Sequence, residues 1–285
     1  MMKLTNPNYN FDESLSKCEE GITGNPLLKK TIKDNKGLLI GKEVEYKSCA
    51  SSGELYTLQA SNKKDDEIVI GQLRKIDLIK LYENYFVPIG KPAREIYDIL
   101  INSAKEECPF CGGIGMPSNL DHFLPKKYFS HFSVLPYNLV PTCRDCNMGS
   151  KGQAYATKQE EQIIHPYLDE SHFFNEQWIF ASFIQENNDE PAYFDYFVQP
   201  PEAWSLVDKI RIQNHFDGFN IKTRYAKQAA SCFTTITGQI SQMKKLGLSN
   251  QILIETLFVP GIDSAPFVNH WKKGMFQALT IHFSQ

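Results

Sequence analysis

Four of the seven cysteines fall into two close pairs, and these pairs have the clearest chemical meaning in the sequence. The first pair is Cys108 and Cys111, and the second, after thirty-one intervening residues, is Cys143 and Cys146. Two C-x-x-C pairs can place four thiolates around one tetrahedral zinc ion. In a reducing compartment this arrangement favours metal over disulfide bonds. Zinc held by four thiolates has no open position, so it would stabilise the fold instead of activating water.

A second group of residues lies between and just after the cysteine pairs. It comprises Asp121-His122-Phe123-Leu124-Pro125-Lys126, Asn138-Leu139-Val140-Pro141, Asn147 and Lys151. Together with the cysteine pairs, this string resembles the HNH nucleases of the ββα-metal, or His-Me finger, class, in the variant braced by a four-cysteine zinc. The matching part covers about residues 105 to 165, under a quarter of the chain. The resemblance implies an α+β finger of two strands and a helix with a structural zinc.

The resemblance also implies a role for individual residues. Asp121 is expected to be a ligand of a catalytic metal, His122 the general base, and Asn138 the residue that orients this base. Asn147 is expected to be the second metal ligand, although the family often has a histidine there. A carboxylate and an amide carbonyl are hard oxygen ligands, which suit Mg²⁺ or Mn²⁺. His131 is an alternative ligand, but its aromatic neighbours favour a packed or solvent-facing side chain.

The adjacency of Asp121 and His122 agrees with this chemistry. Consecutive strand residues point to opposite faces, so both side chains can address one phosphate only where the strand ends and bends. An unperturbed histidine has a pKa of about 6.5, so at neutral pH much of it is free to take a proton from water. The metal would neutralise charge on the reacting phosphate and stabilise the leaving 3′ oxygen.

Basic side chains are concentrated in the same segment. Residues 121–158 carry five basic side chains against two acidic ones. Beside a phosphodiester site they would hold the nucleic-acid backbone without reading sequence, and binding would weaken as salt rises. The expected phosphate-binding residues are Lys126, Lys151 and Arg144.

The elements that must position this finger lie on both sides of it. The predicted division is an N-terminal mixed α/β region at 1–104, the finger at 105–165 and a mainly helical C-terminal region at 166–285. In the first region the patterns predict strands over Leu38–Tyr46 and Leu55–Leu58, a loop over 61–67, and helices over 73–86 and from Pro92 to Lys105. His165, at the end of the finger, is expected to pack rather than to catalyse.

The C-terminal region begins with an acidic segment and ends with a basic one. Residues 159–208 contain eleven acidic side chains and no Lys or Arg, and Tyr193–Phe197 within them suits a strand. Residues 209–285 carry nine basic against three acidic side chains. Helices are predicted over 222–246, 250–258 and 267–283, separated by Gly247 and by Pro260-Gly261.

Composition limits the classes of function. The 285 residues are 42% hydrophobic and 22% charged, which is enough to bury a core and unlike a disordered chain. A net charge of −3 excludes the whole-chain basic signature of a protein that coats nucleic acid, so phosphate binding must be local. The sequence has no apolar run of eighteen residues and no signal peptide, so we expect a cytoplasmic protein without membrane association. It also has no P-loop motif, so it is not expected to be a P-loop ATPase itself.

These observations predict a metal-dependent HNH endonuclease that hydrolyses phosphodiester bonds, with DNA as the expected substrate. The resemblance further implies a bacterial restriction or anti-phage defence context, with a partner such as a defence ATPase. Two alternatives stay open at this point. One is a non-catalytic zinc-knuckle module that binds nucleic acid or protein, and the other is a toxin that cleaves RNA by the same chemistry. The oligomeric state and the target sequence are not determined by the sequence.

Overall fold

A computed structural model describes residues 1–185 and 191–285. These residues form two compact units. The hairpin unit comprises Lys3–Pro109 and Gly115–Glu170, and the C-terminal unit comprises Met1–Met2, Phe110–Ile114 and Ser171–Gln285. The architecture is mixed α+β, with helices and short two-stranded sheets, as predicted at this coarse level. The hairpin unit contains most of the predicted N-terminal region together with most of the predicted finger.

Two helices open the hairpin unit, α1 (Phe11–Gly21) and α2 (Pro26–Ser51). Each begins after an asparagine, Asn10 or Asn25, whose side chain accepts a hydrogen bond from a backbone N–H of the first turn. Such caps satisfy backbone donors that have no partner within the helix. The caps therefore fix where both helices start.

Helix α2 shows that the predicted strand over Leu38–Tyr46 is wrong. Aliphatic and aromatic residues favour strands locally, and this preference produced the prediction. The buried residues of α2 instead recur at the spacing of one helix face. They are Leu28, Ile32, Asn35, Leu39, Tyr46 and Ala50. The predicted strand over Leu55–Leu58 is also wrong, because Leu55–Thr57 forms a 3₁₀ turn.

A small hairpin and three helical segments complete the first part of the hairpin unit. They are β1 (Ile68–Ile70), β2 (Leu73–Arg74), α3 (Lys75–Lys80), a π-helical turn (Leu81–Phe86) and α4 (Arg94–Asn102). The predicted loop before β1 is confirmed, and the predicted helix over 73–86 is confirmed from Lys75 onward. Helix α4 ends before the predicted limit because Lys105 and Glu106 have positive φ angles of 49° and 66°, which no right-handed helix accommodates.

A strand–strand–helix arrangement follows in the same unit. Strand β3 (Asn119–His122) pairs antiparallel with β4 (Leu139–Thr142), so that His122 lies opposite Leu139. A π-helical turn over Asp145–Lys151 comes directly after β4. The other turns are 3₁₀ turns at Ser130–Phe132, Pro136–Asn138 and Gln159–Glu161.

The C-terminal unit is built from one antiparallel hairpin and a set of helices. Its elements are α5 (His172–Asn175), β5 (Ile179–Ile184), β6 (Tyr193–Val198), α6 (Leu206–Gly218), α7 (Ile221–Lys245), α8 (Asn250–Leu253), a π-helical turn (Ile254–Phe258), α9 (Val259–Asp263) and α10 (Trp271–Phe283). The hairpin of β5 and β6 packs against α7 and α10. Trp178, Phe194 and Tyr196 are buried in this core. The predicted strand over Tyr193–Phe197 is confirmed as part of β6.

The predicted C-terminal helices are confirmed with two corrections. The predicted break at Pro260-Gly261 is wrong, because Pro260 lies in the first turn of α9, where a helix tolerates a missing N–H. The last helix begins at Trp271 instead of Phe267, because the ring of His270 accepts a backbone hydrogen bond of 3.2 Å and caps the helix there.

Part of the acidic segment 159–208 is not among the described residues. Glu186, Asp189 and Glu190 lie outside the described residues. Across residues 1–185 and 191–285, no helix has the length and apolar character needed to span a bilayer.

Candidate functional site

The two cysteine pairs meet in one buried cluster. Their four sulfur atoms lie within 4.8 Å of one another, and none of the four cysteines forms a disulfide. Tetrahedral zinc with Zn–S bonds of about 2.3 Å requires sulfur atoms about 3.8 Å apart, so the cluster has nearly the required size. The predicted ligands Cys108, Cys111, Cys143 and Cys146 therefore form a set that could hold a structural metal such as zinc.

Backbone hydrogen bonds shape the chain around each pair. The N–H of Cys108 donates to the carbonyl oxygen of Gly115 at 2.9 Å, which closes a loop around the first pair. Within this loop Gly112 adopts a φ of 62°, a conformation that glycine reaches without strain. The N–H of Asn147 donates to the carbonyl oxygen of Cys143 at 3.0 Å, so the second pair opens directly into a helical turn.

Strand β3 ends at His122, and an open cleft begins beside it. The cleft has a volume of about 720 Å³ and lies within the hairpin unit. Its walls include Tyr82, Asp121, His122, Lys126, Lys127 and Asn147. Three of the four residues for which the resemblance implies a catalytic or metal-binding role, Asp121, His122 and Asn147, are therefore brought to one cleft.

The helical turn after the second cysteine pair contacts β3 through two pairs of side chains. The distance between the two side chains on the strand is close to the distance between the two on the helical turn. Asn119 and Asp121 are two residues apart on a strand and share a face, about 6.7 Å apart. Asn147 and Lys151 are four residues apart on a helical turn, where side chains on one face are about 5–6 Å apart. Asn147 Nδ2 donates to Asn119 Oδ1 at 3.1 Å, and Lys151 Nζ lies 3.0 Å from Asp121 Oδ2. The first bond uses the amide nitrogen and leaves Asn147 Oδ1 as the atom that could accept a cation.

Asp121 and Lys151 form a buried ion pair. Burial raises the pKa of the Asp121 carboxyl despite the attraction of Lys151, and burial lowers the pKa of the Lys151 ammonium despite the attraction of Asp121. For both partners the loss of water thus outweighs the attraction. The ammonium also donates to the carbonyl oxygen of His122 at 2.6 Å. Apart from the ion pair with Lys151, the buried Asp121 Oδ2 has no hydrogen-bond partner among the described residues.

The three predicted phosphate-binding residues have different surroundings. Lys151 is buried against Asp121, and its phosphate contact stays a prediction. Lys126 lines the cleft, and its Nζ lies 2.7 Å from Glu83 Oε1. Arg144 is exposed but is not among the residues that line the cleft.

The imidazole of His122 is held in one orientation. Its Nε2 lies 2.8 Å from the carbonyl oxygen of Ser133, so Nε2 carries the proton and Nδ1 is the basic nitrogen. Ser133 is fixed in turn, because its hydroxyl donates to the carbonyl oxygen of Leu78 at 2.6 Å. The ring of Tyr82 meets the imidazole edge-on, with centroids 4.4 Å apart, and its hydroxyl donates to the carbonyl oxygen of Leu120 at 3.0 Å.

The same surroundings set the charge of His122. Burial lowers its pKa from the ordinary value of about 6.5 to about 3, and the nearby ammonium groups of Lys126 and Lys151 act in the same direction. The hydrogen bond to Ser133 opposes this shift without cancelling it. The imidazole is therefore neutral across the whole neutral pH range, whereas the sequence alone indicated a partly protonated ring.

Asn138 holds the loop on which the imidazole depends. Its Oδ1 accepts a hydrogen bond from Leu124 N at 2.7 Å, and its Nδ2 donates to the carbonyl oxygens of Leu124 at 3.1 Å and Phe132 at 3.2 Å. Leu124 follows His122 by two residues, and Phe132 precedes Ser133. Asn138 thereby ties together the segment that carries the imidazole and the segment that accepts its hydrogen bond. An orienting role for Asn138 would act through this backbone.

Other residues near the site were not singled out by the sequence. Tyr46 and Tyr82 reach it from helical segments outside the predicted finger. Neither belongs to a motif, and a tyrosine on a buried helix face usually indicates only a core position. His131, the alternative ligand, lies against the Phe132 ring at a centroid distance of 4.1 Å and lines a separate cavity without Asp121 or Asn147.

A four-cysteine cluster beside a strand–strand–helix arrangement defines the chain as an α+β protein with a candidate structural metal site. The chain is 37% identical to protein ea31 of Escherichia phage lambda over an alignment 294 positions long, which covers 98% of this chain and 97% of that protein. It therefore belongs to the family of protein ea31. No family model matches the chain, and no solved structure matches it.

Proposed function

We propose that this protein is a metal-dependent HNH endonuclease that hydrolyses phosphodiester bonds in DNA. The proposal is carried by the convergence of Asp121, His122 and Asn147 on one cleft where β3 ends. The order of strand, strand and helical turn, together with the four-cysteine cluster, is consistent with the ββα-metal finger that the resemblance implies.

In the proposed reaction His122 is the general base. Its Nδ1 takes a proton from a water molecule as the water oxygen attacks phosphorus, the bond to the 3′ oxygen breaks, and this leaving oxygen takes a proton from a second water molecule. The products carry a 5′ phosphate and a 3′ hydroxyl. The hydrogen bond from Nε2 to Ser133 holds the ring and stabilises the imidazolium that forms. An anionic phosphate beside the ring favours the protonated form, so substrate binding would raise the low pKa of His122 toward a useful value.

Asp121 and Asn147 are the residues that would hold a divalent ion. Their oxygen atoms suit Mg²⁺ or Mn²⁺, and the buried Asp121 Oδ2 is not saturated with hydrogen bonds from the described residues. Such an ion would supply positive charge beside the scissile phosphate. Lys126 and Lys127 line the same cleft and would hold neighbouring phosphates of the backbone.

Cleavage of supercoiled plasmid with Mg²⁺ or Mn²⁺, with an EDTA arm, tests the proposal. We expect the wild type to nick the plasmid and His122→Ala to lose activity by roughly 100-fold or more, since general-base catalysis contributes about that much. His282→Ala is the matched control, because His282 is an exposed histidine of the C-terminal unit. Equal nicking by His122→Ala and the control would refute the proposal. Parallel digestion of single-stranded DNA and RNA distinguishes a DNA endonuclease from an RNA-cleaving toxin.

One observation favours a non-catalytic nucleic-acid-binding module instead. The ammonium of Lys151 already neutralises Asp121, so a divalent ion must share or displace this contact. In that case the wild type and His122→Ala would shift DNA equally in a gel, and neither would cleave it. The defence context, an ATPase partner and a cytoplasmic location remain predictions from the sequence.

A further inference from the structure

A buried chain of hydrogen bonds links helix α2 to the loop that carries the candidate base. His165 Nε2 lies 3.1 Å from Tyr46 Oη, and Tyr46 Oη lies 3.0 Å from Asn138 Oδ1. All three side chains are fully buried. Together these hydrogen bonds span more than a hundred positions of the sequence, from α2 to the segment after the second cysteine pair. All three residues belong to the hairpin unit.

The directions of these hydrogen bonds follow from their ends. His165 Nδ1 accepts from the backbone N–H groups of Tyr167 and Leu168, each at 3.3 Å. A neutral imidazole has one donor and one acceptor nitrogen, so His165 Nε2 must donate to Tyr46 Oη. The Tyr46 hydroxyl then donates to Asn138 Oδ1. This assignment leaves Asn138 Nδ2 to donate to the two loop carbonyls, as its distances require.

We propose that Tyr46 and His165 are positioning residues for His122, which act through Asn138. The inference rests on the proposed function, because that function makes the position of His122 important. Without the Tyr46 hydroxyl, His165 Nε2 loses its hydrogen bond to Tyr46, and Asn138 Oδ1 loses one of its two donors, the other being Leu124 N. Loss of hydrogen bonds inside a buried network is costly, so the side chains would rearrange and the contacts of Asn138 to Leu124 and Phe132 would weaken.

The hydroxyl can be separated from the packing of Tyr46. The Tyr46 ring packs against Phe132 with centroids 5.0 Å apart, and Tyr46→Phe keeps this contact while it removes only the hydroxyl. His165→Gln retains a side-chain donor, whereas His165→Leu has none. The matched control is Tyr196→Phe, which removes a buried hydroxyl that donates to the carbonyl oxygen of Trp271 at 2.7 Å in the C-terminal unit.

Three measurements test the inference: plasmid-cleavage kcat and KM, the ¹⁵N signals of the His122 imidazole, and hydrogen exchange at the amide of Leu124. We expect Tyr46→Phe and His165→Leu to lower kcat by roughly 10- to 100-fold with little change in KM, as loss of an orienting partner does elsewhere. Both should speed exchange at Leu124 and shift the His122 signals. His165→Gln should stay near the wild type, and Tyr196→Phe should leave all three readouts unchanged.

The outcomes separate this inference from the proposed function. If the wild type cleaves DNA and Tyr46→Phe behaves like Tyr196→Phe in all three readouts, the positioning role is overturned. If the wild type does not cleave, the proposed function fails, and the Leu124 and His122 readouts still decide whether Tyr46 positions the loop. If Tyr46→Phe does not fold, as shown by loss of bound zinc and of the helical circular dichroism signal, the two His165 variants are compared in the same three readouts. Equal behaviour of His165→Leu and His165→Gln would then overturn the positioning role.

Discussion

Removal of the ammonium from the buried ion pair should destabilise the hairpin unit. Lys151 Nζ lies 3.0 Å from Asp121 Oδ2, and the two side chains are only 3% and 10% exposed. Lys151→Met keeps much of the apolar stem but leaves the Asp121 carboxylate buried without a charge partner, and it removes the donor to the His122 carbonyl. Breaking a buried pair in this way costs about 3–5 kcal/mol of unfolding free energy. The double variant with Asp121→Asn should recover most of this loss, because no charge then remains buried.

The same variants report on the divalent ion. If Asp121 is a ligand, Mg²⁺ at a hundred times its Kd should restore about 2.7 kcal/mol to Lys151→Met. The gain should be smaller in the wild type, where the ammonium competes for the carboxylate. It should be absent in the double variant, which lacks the charged ligand.

The assay can follow each unit separately. All three tryptophans, Trp178, Trp204 and Trp271, lie in the C-terminal unit, so their fluorescence reports on that unit. Hydrogen exchange of peptides from residues 119–151 reports on the hairpin unit. We expect Lys151→Met to lower hydrogen-exchange protection in these peptides. Expressed as free energy, this loss should exceed the loss of stability measured from the tryptophan fluorescence transition in urea. Protection equal to that of the wild type would refute the buried ion pair, and equal Mg²⁺ effects in all variants would refute Asp121 as a ligand.

Three further predictions concern the metal, the pH and the cleft. Elemental analysis should find about one zinc per chain. Cys143→Ser should lose this zinc, whereas Cys49→Ser should retain it, because Cys49 lies outside the cluster. Zinc retained in both variants would exclude the cluster as the zinc site. Lys126→Ala should weaken DNA binding and reduce the salt slope by about 1, and a slope equal to that of the wild type would contradict a phosphate contact by Lys126. The midpoint of urea unfolding should fall from pH 7 to pH 5. Below about pH 6.5 histidines become protonated in the unfolded chain but stay neutral where they are buried in the folded chain, so protons bind preferentially to the unfolded chain. A midpoint that does not change with pH would contradict this. The histidines are His122 and His215, with pKa values lowered to about 3, and His131 and His270, with values lowered to about 4.

Much of the fold could be predicted where a local pattern decides the structure. The helix after Lys75, the strand at Tyr193 and the long helix α7 follow from apolar spacing and punctuation by glycine or proline. The strand predicted over Leu38–Tyr46 is wrong because the local β preference of these residues stabilises less than the burial of one continuous helix face does. Strand β5 and helix α6 were not predicted, since neither carries a distinctive motif.

The sequence by itself determined the parts of the candidate site that depend on covalent spacing. Two C-x-x-C pairs predict a four-sulfur cluster because each pair places two thiols within one turn of backbone. Adjacent residues stay close together in any fold. An aspartate followed by a histidine at a strand end therefore predicts two side chains that can share one cleft.

Only the tertiary structure decided the charge and the support of these groups. It placed the Lys151 ammonium on Asp121, made His122 neutral by burial and connected Asn138 to Tyr46 and His165. Protonation and hydrogen-bond direction depend on how much water is excluded and on which donors lie within about 3 Å. Those donors come from segments far apart in the sequence, and no local pattern encodes which of them will meet.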